Sequence, residues 1–312
     1  MREQHNGENP NNFDDVIDLP EVLNVLLNGK WIIFSMTAFI SIVGVIYSLS
    51  LPNIYESKAL LAPVKSSNNV SGNLSSYSNL VGLAGINLNS GNKGNSSKAV
   101  KKISSLSFFE NNILKNIHLP DLMALKSWNA ETNTLVYDKK LYDESTNTWI
   151  RDSSHQRPIP SAQESFKAFQ AKLSLNVDKK SGFATFSIKH QSPFIAKQWA
   201  ELVVNEVNGF YRLKDKSESE KAARYLNEQI SMTSLSEIKQ VLAQLLQEEI
   251  KKLTLIEATQ YYVFDFIDPP AVMETKIEPI RSLICILFSL IGGILSILFV
   301  LVRHYAFNKE VS

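Results

Sequence analysis

The 312-residue chain contains one cysteine, Cys285, so no disulfide can form within it and thiol content leaves the redox compartment open. No G-x-x-x-x-G-K-S/T, G-x-S-x-G or H-E-x-x-H segment is present, which leaves P-loop nucleotide binding, nucleophile-elbow acyl transfer and zincin-type hydrolysis without a seat. No basic stripe with interleaved aromatics occurs, and 32 Lys/Arg against 31 Asp/Glu gives a net charge of +1, so a nucleic-acid partner is not expected. The most informative absence is local. Two stretches, Trp31 to Leu51 and Ser282 to Val302, hold no Asp, Glu, Lys, Arg or His. Each reaches about 31 Å as a helix, which matches the hydrocarbon core of a bilayer, and both are expected to be transmembrane. With no ionisable group inside them, they carry no sign of ion conduction, proton relay or transport.

The first run begins thirty residues into the chain and is longer than the apolar part of a signal peptide. Ser48-Leu49-Ser50 is only a weak small-x-small match, so the run reads as an uncleaved anchor. Two spans place both chain ends on one side. Flanking charge is close to balanced: Arg2, Lys30, Arg303 and Lys309 lie on one side, Lys58, Lys276 and Arg281 on the other, and six acidic residues occupy the head. Orientation therefore rests on the central block, which is long enough to be exported whatever its charge. The expected organisation is a cytoplasmic segment over 1–30, a first span over 31–51, a periplasmic α/β and helical domain over 52–281, a second span over 282–302 and a cytoplasmic tail over 303–312. The central block holds 28 basic and 24 acidic residues, as befits a folded, nearly neutral domain.

Along that block strands alternate with helices. Asp18-Leu19-Pro20-Glu21 signals a helix start before the first span. Ile54 to Pro63 reads as a strand. Ser66 to Ser97 is rich in Ser, Asn and Gly and reads as a loop, interrupted by the apolar island Leu80 to Ile86, which packs on the domain core, a neighbouring subunit or a partner. Ile103 to His118 has amphipathic helical spacing, and Thr134 to Asp138 pairs with Asn147 to Arg151 across Lys139 to Thr146. Ser161 to Glu164 is a capping box, and Leu173 to Asp178 with Phe183 to His190 makes a hairpin about Lys179 to Gly182. Ser192-Pro193 opens a helix through Ile195, Trp199, Val203, Val207 and Phe210 to Ile230, about 57 Å long. Ser234 to Glu237 caps a second helix with Ile238, Val241, Leu242, Leu245, Leu246, Ile250 and Leu253 on one face, and Tyr261 to Ile267 is a last strand. The long helices are expected to protrude from an α/β base and to associate along their apolar faces, within the chain, between chains, or both.

Candidate chemistry is sparse. His118, His155 and His190 lack metal-ligand spacing, Asp143-Glu144 sits in a Ser/Thr/Asn-rich turn as solvated acids do, and Asp265 and Asp268 fit the outward face of a strand. No catalytic, cofactor or metal site is expected. The second span is more specific: Cys285, Ser289 and Gly293 recur every four residues, as do Gly292 and Ser296, giving small faces on which another helix can approach. Gly44 and Ser48 of the first span are the lesser counterpart.

Several short motifs share one layout. Ile17-Asp18-Leu19, Leu23 and Lys30-Trp31 precede the first span, and Tyr55-Glu56-Ser57-Lys58-Ala59-Leu60 ends at Pro63 after it. Tyr262-Val263-Phe264, Ile267-Asp268-Pro269-Pro270 and Pro279-Ile280-Arg281 precede the second span, which contains Gly292-Gly293. The chain resembles the Wzz-type polysaccharide co-polymerases, the O-antigen chain-length determinants, over nearly its whole length, most specifically from Tyr262 to Arg303. The resemblance implies a Gram-negative inner-membrane protein with an α/β periplasmic domain and a long protruding helix. It also implies a bell-like homo-oligomeric ring that sets the lengths made by a Wzy-type polymerase on an undecaprenyl-linked glycan, without catalysis. The family positions carried over are Tyr55, Ala59, Pro63, Pro269, Pro270, Pro279 and Arg281. Two departures stand out: the family often has a further proline near Met273 to Thr275 and a basic residue at the position of Ile280, and this chain has neither. Relatives with a fused tyrosine kinase do not match, since about ten residues follow the second span. Two other readings remain: a co-polymerase of the same architecture acting on capsule, exopolysaccharide or another envelope glycan, and a two-span sensor, for which no output module fits in Arg303 to Ser312.

Overall fold

The computed structural model describes residues 19–64, 93–151 and 157–307. Asp18, the Leu80 to Ile86 island and His155 lie outside them. Two units divide the chain: one joins Met1–Pro52 with Glu278–Ser312, the other is Asn53–Ile277.

The first unit is helical. α1 (Leu19–Asn28) leads into α2 (Lys30–Ser50), and α9 (Arg281–Phe307) closes the chain. Contacts that run from Gly29 with Val300, through Ile40 with Gly292, to Gly44 with Phe288 show α2 and α9 packed antiparallel. Both are long and apolar enough to cross a membrane, yet only 11% and 17% of their most hydrophobic windows are buried. Phe34, Phe39, Ile46, Leu290, Ile294 and Leu298 point outward. In water so much exposed apolar surface would be costly, whereas in a bilayer it meets its own kind.

The second unit is a four-stranded sheet in the order β6-β7-β1-β8, formed by β1 (Tyr55–Pro63), β6 (Leu173–Val177), β7 (Ala184–His190) and β8 (Phe264–Asp268). Every pairing is antiparallel, so the mixed helix and strand architecture is built without a parallel crossover. Alternation places Ser57, Ala59 and Leu61 of β1 beside Ala184, Phe186, Ile188 and His190 of β7 on the buried face. α7 (Pro193–Met232) lies on that face through Ile195, Trp199, Val203 and Val207. It is 40 residues long, about 60 Å. The β6–β7 hairpin turns where expected: Asp178 accepts the Lys180 and Ser181 N–H groups, and Gly182 takes the positive φ of 76° that a side chain would resist. α6 (Ala162–Lys172) opens on Ser161, whose hydroxyl accepts the Glu164 N–H as the capping box predicts.

Three expectations are corrected. The segment read as one helix over Ile103 to His118 is split: α3 (Lys93–Ile103) begins inside the Ser/Asn-rich stretch, and Ser105 then accepts the Phe108 N–H to start a new short turn, α4 (Leu106–Phe108), followed by a π-helical turn, Phe109–Ile113. Thr134 to Asp138 does not pair with Asn147 to Arg151. Instead β3 (Thr134–Tyr137) pairs with β2 (Leu125–Asn129), and β4 (Tyr142–Asp143) with β5 (Thr148–Trp149). Asn133 and Asn147 supply the positive φ values, 50° and 53°, that close two tight hairpins in place of one wide one. Finally, Ser234 to Glu237 makes no side-chain cap, and α8 (Ser236–Ala258) starts after Leu235.

Candidate functional site

Four of the seven small residues singled out in the spans meet at one interface. A Cβ on Gly44 would stand 2.6 Å from Cβ and Cγ of Phe288, and one on Gly292 would stand 3.1 Å from Ile40 Cβ. Ser48 and Ser296 are 1% and 0% exposed. The Ser296 hydroxyl lies 3.2 Å from that of Thr37 and donates to the Gly292 carbonyl at 2.5 Å. The close approach exists because these positions carry little or no side chain, and in lipid such fit, with a hydrogen bond of about 1 kcal/mol, is what holds helices together. Thr37 and Phe288 were missed in the sequence. Thr37 was legible, since it stands seven and eleven residues before Gly44 and Ser48 on the same stripe.

Ser289 and Gly293 are not in this contact, whereas Cys285 stands seven and eleven residues before Gly292 and Ser296 on their stripe. Ser289 is exposed, Cys285 half-buried, and a Cβ on Gly293 would meet nothing within 4 Å. The small positions of the second span thus divide: Gly292 and Ser296 face α2, and Ser289 and Gly293 do not.

The family-motif positions of the second unit gather around β1 and the segment that follows β8. Tyr55 sets its ring edge against Trp128 at 5.5 Å, Ala59 is buried, and Pro63 ends β1. Beyond Pro269 and the buried Pro270, the chain runs back past the start of β1: Ser57 donates to the Ala271 carbonyl at 2.8 Å, and the Ile277 N–H to the Ile54 carbonyl at 2.9 Å. Pro279 follows a cis peptide bond, and Arg281 opens α9.

Strand β8 is further held by α7. Asn208, 5% exposed, accepts the Val263 and Phe264 N–H groups at 2.7 and 2.9 Å and donates to the Phe264 carbonyl at 2.9 Å, so its amide stands in for a missing strand. One turn on, Arg212 donates to the Thr259 and Gln260 carbonyls at the end of α8. Tyr262 donates to Asp215 at 2.6 Å, and burial together with that carboxylate pushes the phenol above its ordinary value. Spacing of four and three along α7 makes this one polar ridge beside the apolar one. Asn208, four residues after the buried Val204 on the same face of α7, was the available signal.

The histidines resolve differently. α5 (Leu119–Met123) places Asp121, 9% exposed, where it accepts the Tyr137 hydroxyl at 2.7 Å and meets His118 Nδ1 at 2.9 Å. Burial and the Asp121 hydrogen bond push Tyr137 up, so it keeps its proton. His190 is buried, with Nε2 3.1 Å from the Asp121 carbonyl and Nδ1 accepting the Ser192 N–H at 3.0 Å. Asp121 is therefore a hub that joins α5, β3 and β7. Neither a serine nor a cysteine is among its hydrogen-bonding partners, and among the described residues no group of three or more His, Cys, Asp or Glu could hold a metal ion. The chemistry of the hub is that of a buttress for the two small hairpins. Beside it, Tyr137 and Tyr142 line an open cleft of about 590 Å³. Asp143, at its edge, bonds Ser145 and Thr146 within its own turn, and these bonds hold the carboxyl below its usual range.

The family model for the Wzz chain length determinant protein matches residues 15–115, bearing out the resemblance over α1, α2, β1 and α3. No curated protein matches the chain. Among solved structures, a full-length bacterial polysaccharide co-polymerase is 14% identical, with 95% of this chain and 100% of that one covered, at a TM-score of 0.42. A fragment of WzzB, a polysaccharide co-polymerase from Salmonella Typhimurium, is 13% identical, with 72% and 100% covered, at a TM-score of 0.30.

Proposed function

We propose that this chain is a polysaccharide co-polymerase that sets the length of O-antigen chains, acting as a homo-oligomer with a Wzy-type polymerase on an undecaprenyl-linked glycan in the Gram-negative inner membrane. The observation that carries this reading is the match of residues 15–115 to the chain length determinant model. Two further features support it. The apolar helices stand at opposite ends of the described chain, with the mixed helix and sheet unit between them. That unit is built around buried tethers, the Asn208 latch and the Asp121 hub. In this reading the protein is regulatory, and the central unit faces the periplasm.

The test is the surface polysaccharide of a strain lacking the protein, separated by gel. Polymer should persist, with a clustered length distribution replaced by one that decays from short chains. Complete loss of polymer would overturn the regulatory reading. A change confined to capsule or exopolysaccharide would move the same activity to another glycan.

A further inference from the structure

The β2–β3 and β4–β5 hairpins add nothing to the main sheet, yet they are held in a defined arrangement. Their aromatic rings, with His118 of the neighbouring helix start, meet edge-on or tilted in series: His118 lies 6.1 Å from Tyr137, Tyr137 lies 5.5 Å from Tyr142, and Tyr142 lies 5.3 Å from Trp149 between ring centroids. The two phenols that line the cleft are fixed by their own protons, Tyr137 to Asp121 and Tyr142 to Asn147, so neither ring is free to turn away. Around them the lining is mixed. Val136 and Ile150 are 44% and 52% exposed and offer apolar surface to the cleft. Lys139, Glu144 and Ser145 complete the rim. Lys139 and Glu144 have no hydrogen bond or ion pair to any described residue, and Ser145 keeps its acceptor lone pairs.

The geometry points to this cleft as a binding site for an uncharged saccharide segment of the glycan whose length the protein regulates. This assignment rests on the proposed function. A pyranose presents C–H faces and a girdle of hydroxyls that both donate and accept. The cleft offers matching chemistry: ring and aliphatic surface from Tyr137, Val136 and Ile150, a free acceptor in Glu144, a free donor in Lys139, and the Ser145 hydroxyl. Its charge argues for the sugar and against a diphosphate end. The lining holds one lysine and two carboxylates, Asp143 and Glu144, so it lacks the cluster of cations that phosphate recognition uses. A volume of about 590 Å³ lies within the range of ligand clefts, about 300–1,000 Å³, and leaves room for more than one sugar ring. The cleft is open at the surface, as a site must be if it holds a strand that passes through it.

The experiment uses the full chain in lipid nanodiscs and, as probe, polysaccharide released by mild acid from the surface of the strain that carries the protein. Binding is followed by saturation-transfer NMR and by tryptophan fluorescence, since Trp149 abuts Tyr142. Lys139→Ala with Glu144→Ala removes both unpartnered rim groups and should weaken binding at least tenfold, with Lys140→Ala, outside the lining, as control. Absence of saccharide binding to the wild type at millimolar concentration overturns the assignment, as does binding that the double variant leaves unchanged. Preference for pyrophosphate over the saccharide also overturns it. In parallel, a deletion strain that alters chain length while the double variant restores the wild-type distribution defeats the cleft alone. A deletion strain with unaltered chain length defeats the functional reading itself.

Discussion

His190 is the basis of a pH prediction whose sign is fixed by its hydrogen bonds. With Nε2 donating to the Asp121 carbonyl and Nδ1 accepting the Ser192 N–H, the ring must be neutral, because a second proton would face an N–H group. Burial pushes the imidazole down to about 4; the Asp121 carbonyl opposes this, and the charge of Lys172 reinforces it. The unfolded chain titrates near 6.5. Above that pH both states are neutral and the native contribution is whole. Between about 6.5 and 4 only the unfolded chain gains the proton, so stability falls with pH, and below about 4 the loss is complete. Linkage then gives a loss of about 2 kcal/mol between pH 8 and pH 5, and about 3 kcal/mol at pH 4. Urea unfolding of the full chain in non-ionic detergent can be read by tryptophan emission, since Trp199 lies 5.0 Å from His190. His190→Gln keeps a donor for Asp121 and removes the titration. Other ionisable groups are shared, so the stability gap between wild type and variant should narrow by about 2 kcal/mol from pH 8 to pH 5. A gap that stays constant, or an NMR titration midpoint for His190 near 6.5, would refute the reasoning.

Gly44→Leu should split the spans, because even a Cβ there would stand 2.6 Å from Phe288, while Gly293→Leu should leave them paired and instead weaken association between copies. In a Cys285→Ser background, Thr37→Cys with Ser296→Cys should crosslink within one chain; retention of that crosslink in Gly44→Leu, or an unchanged native mass in Gly293→Leu, would count against the assignment of the two faces. Asn208→Ala would strand two buried N–H groups and a carbonyl, costing about 3–5 kcal/mol, and a loss below about 1 kcal/mol in urea would show that water replaces the amide. Cysteines replacing Ser97 and Ser217 in the Cys285→Ser chain should react with an impermeant thiol reagent once the outer membrane is permeabilised, and one replacing Asn12 should not. The reverse pattern would invert the proposed topology.

The elements most legible in the sequence were those set by local rules. The uncharged runs gave α2 and α9 to within a few residues because length and apolarity alone decide a span. Ser192-Pro193 located the start of α7 through the proline in its first turn, although the serine hydroxyl makes no cap bond, and the Asp178 turn located the β6–β7 hairpin, because these signals act within four residues. What failed depended on distant partners. The strand at Leu125–Asn129 has a polar, irregular sequence and is a strand because Thr134–Tyr137 pairs with it. At the spans, spacing alone found the small residues, but which of them meet the other helix depends on Phe288 lying opposite Gly44 and Ile40 opposite Gly292, a match across two helices that no pattern within either one records. Likewise, the isolated histidines looked bland because Asp121, which joins two of them, is three residues from one and sixty-nine from the other.

The burial along α7 is uneven. Its buried positions run from Pro193 to Tyr211, after which only Ser219 is buried before the helix ends at Met232. α8, which packs beside it, buries only Ile256, near its own end, and leaves Ile238, Val241, Leu245 and Ile250 exposed. A helix of this kind does not unfold all at once: the turns before Tyr211 share the stability of the core, while those beyond it are free to open by themselves. Amide exchange should therefore rise in a gradient toward Met232 and Leu235 under conditions where Trp199 and Val203 remain protected. A partner that covers the exposed apolar residues would flatten that gradient by removing the local openings, and could stiffen the distal hairpin without moving any residue of the sheet.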